Sequence, residues 1–291
     1  MASAYDQSDA NARRHVPTFR ARQAVEDSAP HFEAAIFDMD GVITQTASVH
    51  SSAWKRMFDE YLRVREVSRG ELFSEFTHAH DYLAYVDGRP RYKGVEAFLK
   101  SRGIQLPLGS PEDLPRSETV CGLGNRKNEL FNLIIEQEGV GLFNSTIALI
   151  CEMRLRGIKI GLATSSKNSA VILKKTGTAH LFATVIDGVV SAKLGLKGKP
   201  ESDIFTTAVA NLGVSNARSI VVEDAATGVE AGAKGGFALV IGVARENNAR
   251  ELRDHGADLV VTDLGDTSIA EISRLIRAKR GGLLTPPFTS A

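Results

Sequence analysis

The sequence predicts an α/β fold: a doubly wound parallel sheet with a helical cap domain inserted after its first strand. Three observations predict it. The first strand, Ala34-Ala35-Ile36-Phe37, is apolar on successive residues, as in a strand buried on both faces. From residue 147 to residue 278, short apolar runs alternate with stretches of helical periodicity. Between the two, residues 47–141 carry helical spacing and little strand pattern. Repeated strand–helix units fold as a parallel sheet covered on both sides, so the helical stretch reads as a separate small domain.

Within the insert, Ala53-Trp54, Met57-Phe58 and Tyr61-Leu62 recur at helical spacing and predict a helix over 48–64. Two more helices are expected over 94–101 and 125–137, with polar loops at 87–94 and 106–111. The alternating region then predicts helix 147–155, strand 158–164, helix 168–176, strand 183–186 and helix 202–212. Strand 219–222, helix 225–235, strand 238–241, helix 245–255, strand 259–261 and helix 269–278 complete it. The expected organisation is a core of residues 31–46 and 142–280 and a cap of residues 47–141. A mobile polar tail, 1–30, and a loose Gly- and Pro-containing tail, 281–291, flank them.

Composition narrows the function. A chain of 291 residues suits one large domain or two unequal ones. Its formal net charge of zero argues against a general nucleic-acid binder. Cys121 and Cys151 make neither a metal-ligand spacing nor a disulfide framework; they read as two buried small hydrophobes in a reducing cytoplasm. No apolar run is long enough to span a bilayer, and the first residues lack the apolar stretch of a signal peptide. A cytoplasmic monomer with no nucleic-acid or membrane partner is the expectation.

Polar residues gather where the strands end. Asp38 and Asp40 follow the first strand, and Gly41 turns the chain behind them. Two carboxylates this close require a cation or a shared proton. The second core strand ends in Thr164-Ser165-Ser166-Lys167-Asn168, whose hydroxyls could donate to phosphate or simply cap the next helix. Lys199, before Pro200 at the start of a helix, could aim an ammonium at an anion or lie solvated in a loop. Glu223 and Asp224 close a fully apolar strand, suited to a hard cation or to helix capping. Each feature is weak alone. Together, in this order, they make a site for phosphoryl transfer: a nucleophile, an acid/base, phosphate donors and a metal.

That four-part pattern resembles the haloacid dehalogenase superfamily of phosphohydrolases and phosphomutases, over residues 32–276, and the insert resembles its helical cap. Within the superfamily the chain is most similar to the β-phosphoglucomutase-like family. Thr46, His50 and Trp54 follow the first motif where that family carries Thr, His and Trp, and Lys93-Gly94-Val95 and Arg126-Lys127-Asn128 resemble its cap motifs. Two positions depart: Gln45 replaces an Asp, and Ala97 replaces a phosphate-binding Arg. Arg89, Arg91 and Arg102 are the candidates for the missing cation.

The resemblance implies Asp38 as nucleophile, forming an aspartyl-phosphate, and Asp40 as acid/base. Burial and the neighbouring anion are expected to keep Asp40 protonated for one half-reaction. Mg²⁺ is expected on Asp38, Asp224 and the backbone carbonyl of Asp40, with Glu223 direct or one step removed. Thr164, Ser165 and Lys199 would bind the phosphoryl group, and Asn168 would help. Thr46, His50, Trp54, Lys93 and Lys127 would serve the substrate, His50 steering Asp40 or binding sugar. His78 and His80 read as surface residues. The implied activity is Mg²⁺-dependent interconversion of β-glucose 1-phosphate and glucose 6-phosphate, or alternatively hydrolysis of a small phosphorylated sugar or related metabolite.

Overall fold

Six parallel strands form one sheet in the order β3-β2-β1-β4-β5-β6 in the computed structural model, which describes residues 30–282. They are β1 (Ala34–Phe37), β2 (Lys159–Ala163), β3 (Thr184–Ile186), β4 (Ser219–Glu223), β5 (Leu239–Val243) and β6 (Leu259–Val261). The chain builds outward from β1 to β2 and β3, then crosses to β4 on the other side of β1. The crevice at the carboxyl ends of β1 and β4 is therefore a topological switch point, where open α/β sheets bind ligands.

The successive apolar residues of β1 are explained by burial on both faces. Ala34 and Ile36 face one core with Ile204, Phe205 and Val229, while Ala35 and Phe37 face another with Ile150, Ile172 and Ile272. Helices α4 (Asn144–Leu155), α5 (Ser169–Thr176) and α10 (Ile269–Arg280) cover the second face. Helices α7 (Asp203–Asn211), α8 (Ala226–Lys234) and α9 (Ala249–Asp254) cover the first. The pairing register sets Phe37 against Leu162 and Val222. The next residue on each strand, Asp38, Ala163 or Glu223, thus reaches the same edge.

The insert is built from α1 (Ala47–Arg69), a π-helical segment (His78–Val86), α2 (Arg91–Ser101) and α3 (Val120–Glu138). Aromatic rings hold it together. Phe58 lies 4.0 Å from Phe98, 5.2 Å from Phe76 and 5.3 Å from Trp54, centroid to centroid, and is fully buried.

Several expectations are corrected here. The π-helical segment was not expected; Thr77 caps it, accepting from the His80 amide, and its last bond runs from the Asp87 amide to the Tyr82 carbonyl. Helix α6 (Gly188–Leu194) is also new, capped by Asp187 on the amides of Val189 and Val190. Helix α3 starts at Val120, not 125, because Thr119 caps it at the Gly122 amide. Helix α9 starts at Ala249, not 245, because Arg245 is drawn to the Gly41 carbonyl and Asn248 to the Asp224 carbonyl. Cys121 is buried, but Cys151 is exposed. Among the described residues no helix is long and apolar enough to cross a membrane. The expectations for the tails fall outside the described residues over 1–29 and 283–291.

Truncating a fully buried aromatic leaves a cavity, costing about 3–5 kcal/mol. Phe58→Ala is expected to lower unfolding free energy by that amount in denaturant titration, while Val67→Ala, on the exposed side of α1, should stay within about 0.5 kcal/mol.

Candidate active site

Asp38 is the first residue past β1, its amide bonded to the Val222 carbonyl at 2.9 Å. Its carboxylate meets Lys199 Nζ at 2.5 Å. The same ammonium pairs with Glu223 at the end of β4, and Lys199 and Glu223 are almost wholly buried. The other oxygen of Glu223 accepts from the amides of Asp224 and Ala225, both at 2.8 Å. Glu223 thus holds Lys199 with one oxygen and the following turn with the other. Two glycines make this packing feasible. A Cβ on Gly228 would collide with the Glu223 carboxylate, and one on Gly41 with the carboxylate of Asp224. Gly41 also has φ 81°, which favours glycine.

Electrostatics follow from this burial. Burial pushes the Asp38 carboxyl up to about 8; Lys199 opposes the rise, and Glu223 and Asp40 add to it. Asp224 is raised well above the usual carboxylate range by burial, then by Glu223, Asp87 and Asp38. Burial works against the Lys199 ammonium, but Asp38 and Glu223 outweigh it and raise its pKa. The edge of the sheet therefore carries more buried carboxylate than Lys199 neutralises, which is the condition for taking up a cation.

Asp40 points the other way, into the insert. Thr46 Oγ1 donates to it, and His50 Nε2 stands 3.3 Å from it. Lys127 Nζ lies 2.5 Å from His50 Nδ1 and over the rings of Trp54 and Phe131, at 5.0 and 4.8 Å. Burial works to raise the Asp40 carboxyl, but the charge of the nearby His50, and then Thr46 and Lys127, hold it low. In the free cleft Thr46, His50 and Lys127 outweigh burial, so the environment there favours the ionised Asp40, the form that accepts a proton, and the protonated form expected for the other half-reaction is not favoured until the cleft is occupied. His50 is itself lowered, by burial and then by Lys127.

The remaining predicted residues divide. Thr164 is buried in the cleft and accepts from the Ser166 amide at 3.1 Å. Ser165 lines the cleft too, but its hydroxyl donates to the Gly88 carbonyl of the insert at 3.0 Å. Asn168 donates to Asn128 on α3 at 2.9 Å, joining core to insert. Trp54 is 4% exposed and lines the cleft. Lys93 does not join them: its side chain is 70% exposed and paired with Glu96 at 2.8 Å. Arg102 is bound to Asp81, at 3.1 and 3.2 Å, outside the cleft. Of the three candidate arginines, Arg89 and Arg91 line the cleft, Arg91 donating to Asn128 at 2.7 Å. His78 is half-buried and meets Ser51 at 2.7 Å and Glu246 at 3.3 Å; His80 is exposed.

Sequence reasoning missed Tyr82, Asp87 and Lys167, which also line the cleft. Tyr82 sits in the unexpected π-helical segment and Asp87 directly after it, and no local pattern in the sequence marks that segment.

Among the described residues no three His, Cys, Asp or Glu side chains converge as a ready-made metal cage. A site of few carboxylates suits Mg²⁺, which takes one or two of them and fills its shell with water and phosphate oxygens. The excess of buried carboxylate over the single ammonium of Lys199, left at Asp224 beside Asp38, and the Gly41 cradle that admits the Asp224 carboxylate, fit that ion.

The profile of the haloacid dehalogenase-like hydrolase family matches residues 32–236. The β-phosphoglucomutase of Mycobacterium bovis is 43% identical over 236 residues, covering 80% of this chain and 90% of that protein. The β-phosphoglucomutase of Bacillus subtilis is 31% identical over 244 residues, covering 81% and 92%. The crystal structure of the Clostridium difficile β-phosphoglucomutase superposes with a TM-score of 0.67 at 23% identity, covering 86% of this chain and 99% of that one, a likeness of fold.

The raised carboxyls have a consequence for stability. A carboxyl raised on folding binds a proton that the unfolded chain has already released, so its contribution is full below the unfolded value near 3.8 and is lost as pH rises toward about 8. A bound divalent cation replaces that proton. The increase in Tm caused by Mg²⁺ should therefore grow from about pH 5 to about pH 8 in thermal unfolding. An increment that is flat or shrinks over this range contradicts the assignment.

Proposed function

The chain belongs to the haloacid dehalogenase-like hydrolase family of enzymes, and on that premise we propose that it moves a phosphoryl group through Asp38 between the two ends of a sugar phosphate, as a β-phosphoglucomutase. The observation that carries this reading is a cleft that receives permanent cations from both parts of the chain: Lys199 at the sheet edge beside Asp38, and Arg91 and Arg89 from the insert.

Asp38 attacks phosphorus: the bond from an Asp38 oxygen to phosphorus forms as the bond to the sugar oxygen breaks, and Asp40 supplies the proton to that oxygen. In the return step a sugar hydroxyl attacks the aspartyl-phosphate, its proton passes to Asp40, and the Asp38 carboxylate is released. The low pKa of Asp40 in the free cleft suits the second role. His50, between Asp40 and Lys127, is placed to trim that proton affinity. Thr164 and Lys199 receive the phosphoryl oxygens. Mg²⁺ on Asp38, Asp224 and the Asp40 carbonyl supplies charge neutralisation at the phosphoryl group when bound. The insert closes over the cleft and keeps out water, which favours the sugar as acceptor.

The phosphate that is not reacting needs its own cation. Arg91 fills that role better than Lys127. Burial lowers Arg91 too, but an arginine starts high enough to keep its charge at any working pH, whereas burial and then Arg91 hold the Lys127 ammonium well below its usual range. Arg91 therefore answers the departure at Ala97.

Supplied with β-glucose 1-phosphate and a trace of the bisphosphate, the enzyme should form glucose 6-phosphate without releasing phosphate. Phosphate released in proportion to substrate consumed, with no isomer, would make it a phosphatase. A charge-assisted contact contributes about 1.5–3 kcal/mol, so Arg91→Ala should slow isomerisation roughly ten- to hundredfold and barely change hydrolysis of a small phosphate ester. Equal losses on both substrates would return Arg91 to a role in closing the insert.

A further inference from the structure

The loop that follows the π-helical segment is seated on the catalytic edge of the core. The Gly88 carbonyl accepts from Ser165, after β2, at 3.0 Å. Gly88 has φ 65°, and a Cβ there would strike Thr227 and Ala225, after β4. Pro90 packs against Gly198, beside Lys199. The loop thus touches the chain after β2, before α7 and after β4, and it brings the carboxylate of Asp87 into the cleft with Asp38, Glu223 and Asp224.

That carboxylate is an odd group to bring there. It belongs to the insert, it faces the site of an anionic substrate, and it joins acids already in excess of Lys199. Burial and then the charge of Glu223 push it up to about 7, with Tyr82 and Lys199 acting the other way. Without a divalent cation, closing the insert sets Asp87 against Glu223 and Asp224, and the cluster must either bear the repulsion or take up protons to relieve it. With one, the same closure sets an anion beside a cation. The sign of the closing force therefore depends on the metal.

We propose that Asp87 is a positioning residue that couples closure of the insert to divalent-cation binding, its carboxylate sharing the cleft with Asp38 and Asp224, which would hold the cation. The inference rests on reading those carboxylates as a Mg²⁺ site. It adds that the site is completed from the insert, so metal and closure strengthen each other by the same factor.

Trp54 is the single tryptophan of the chain and lines the cleft, so its quenching by acrylamide reports opening. Mg²⁺ binding is followed by calorimetry on the same samples, with no substrate present. In the wild-type protein Mg²⁺ should shield Trp54. In Asp87→Asn the metal-free Trp54 should already be better shielded than in the wild type, because the repulsion is gone. Mg²⁺ should then change its quenching little, and the Mg²⁺ dissociation constant should rise about tenfold. Asp87→Ser should behave alike, which separates charge from shape. A merely structural role for Asp87 gives the opposite metal-free result, a more accessible Trp54 in both variants, and overturns the proposal. Variants that follow the wild-type quenching curve at every Mg²⁺ concentration overturn it too. A wild-type protein that takes up no Mg²⁺ removes the metal site itself, and calorimetry alone reveals that. Isomerase or phosphatase activity enters none of these readings, so the choice of reaction is tested separately.

Discussion

The ammonium of Lys199, buried between Asp38 and Glu223, is the interaction on which the rest of the site depends. It ties the ends of β1 and β4, the two central strands, across the switch point of the sheet. Desolvating three charges is costly, and the arrangement holds because each finds a partner: Lys199 has both carboxylates, and Glu223 has two backbone amides besides. Removing the lysine would leave two buried acids without their cation, a loss of about 3–5 kcal/mol for a broken buried pair. The same contact sets the chemistry. It keeps a cation beside Asp38 where phosphoryl oxygens would arrive, and it leaves Asp224 to be compensated by something else.

A second polar chain runs away from the first. Asp40, one residue beyond Met39, is served by Thr46, His50 and Lys127. Two carboxyls two positions apart are thereby driven in opposite directions, Asp38 up and Asp40 down. Environments that separate paired carboxyls are how one site divides a nucleophile from an acid/base. Here the division is between core and insert: Asp38 answers to the sheet, and Asp40 answers to α1 and α3. Any movement of the insert therefore acts on Asp40 first.

The core was legible in the sequence because its signals are local. A strand buried on both faces is apolar throughout, and a polar residue just past it must lie at the sheet's edge; Asp38, Thr164 and Glu223 follow from that alone. The insert was less legible because its cleft is made by docking. Lys93 was expected inside on motif likeness. Arg91 precedes it by two residues, about 200° around a helix, so only one of the two can face the cleft, and Gly94 and Val95 packing inward leaves that side to Arg91. Asp87 carries no motif at all. Its place depends on the π-helical segment, on φ at Gly88 and on the core loops that Gly88 and Pro90 meet. Likewise 245–248 reads as helix, but Arg245 and Asn248 are taken by carbonyls of the Asp38–Gly41 and Glu223–Asp224 turns.

Asp38, buried and held beside Lys199, is the proposed covalent carrier of the phosphoryl group. Mass spectrometry of the enzyme quenched in acid during turnover of β-glucose 1-phosphate, with peptides mapped, tests it directly. A phosphoryl adduct confined to the peptide that carries Asp38, and absent when Mg²⁺ is chelated, is the expected result. Turnover with no adduct, or an adduct on His50 or another residue, would contradict the account.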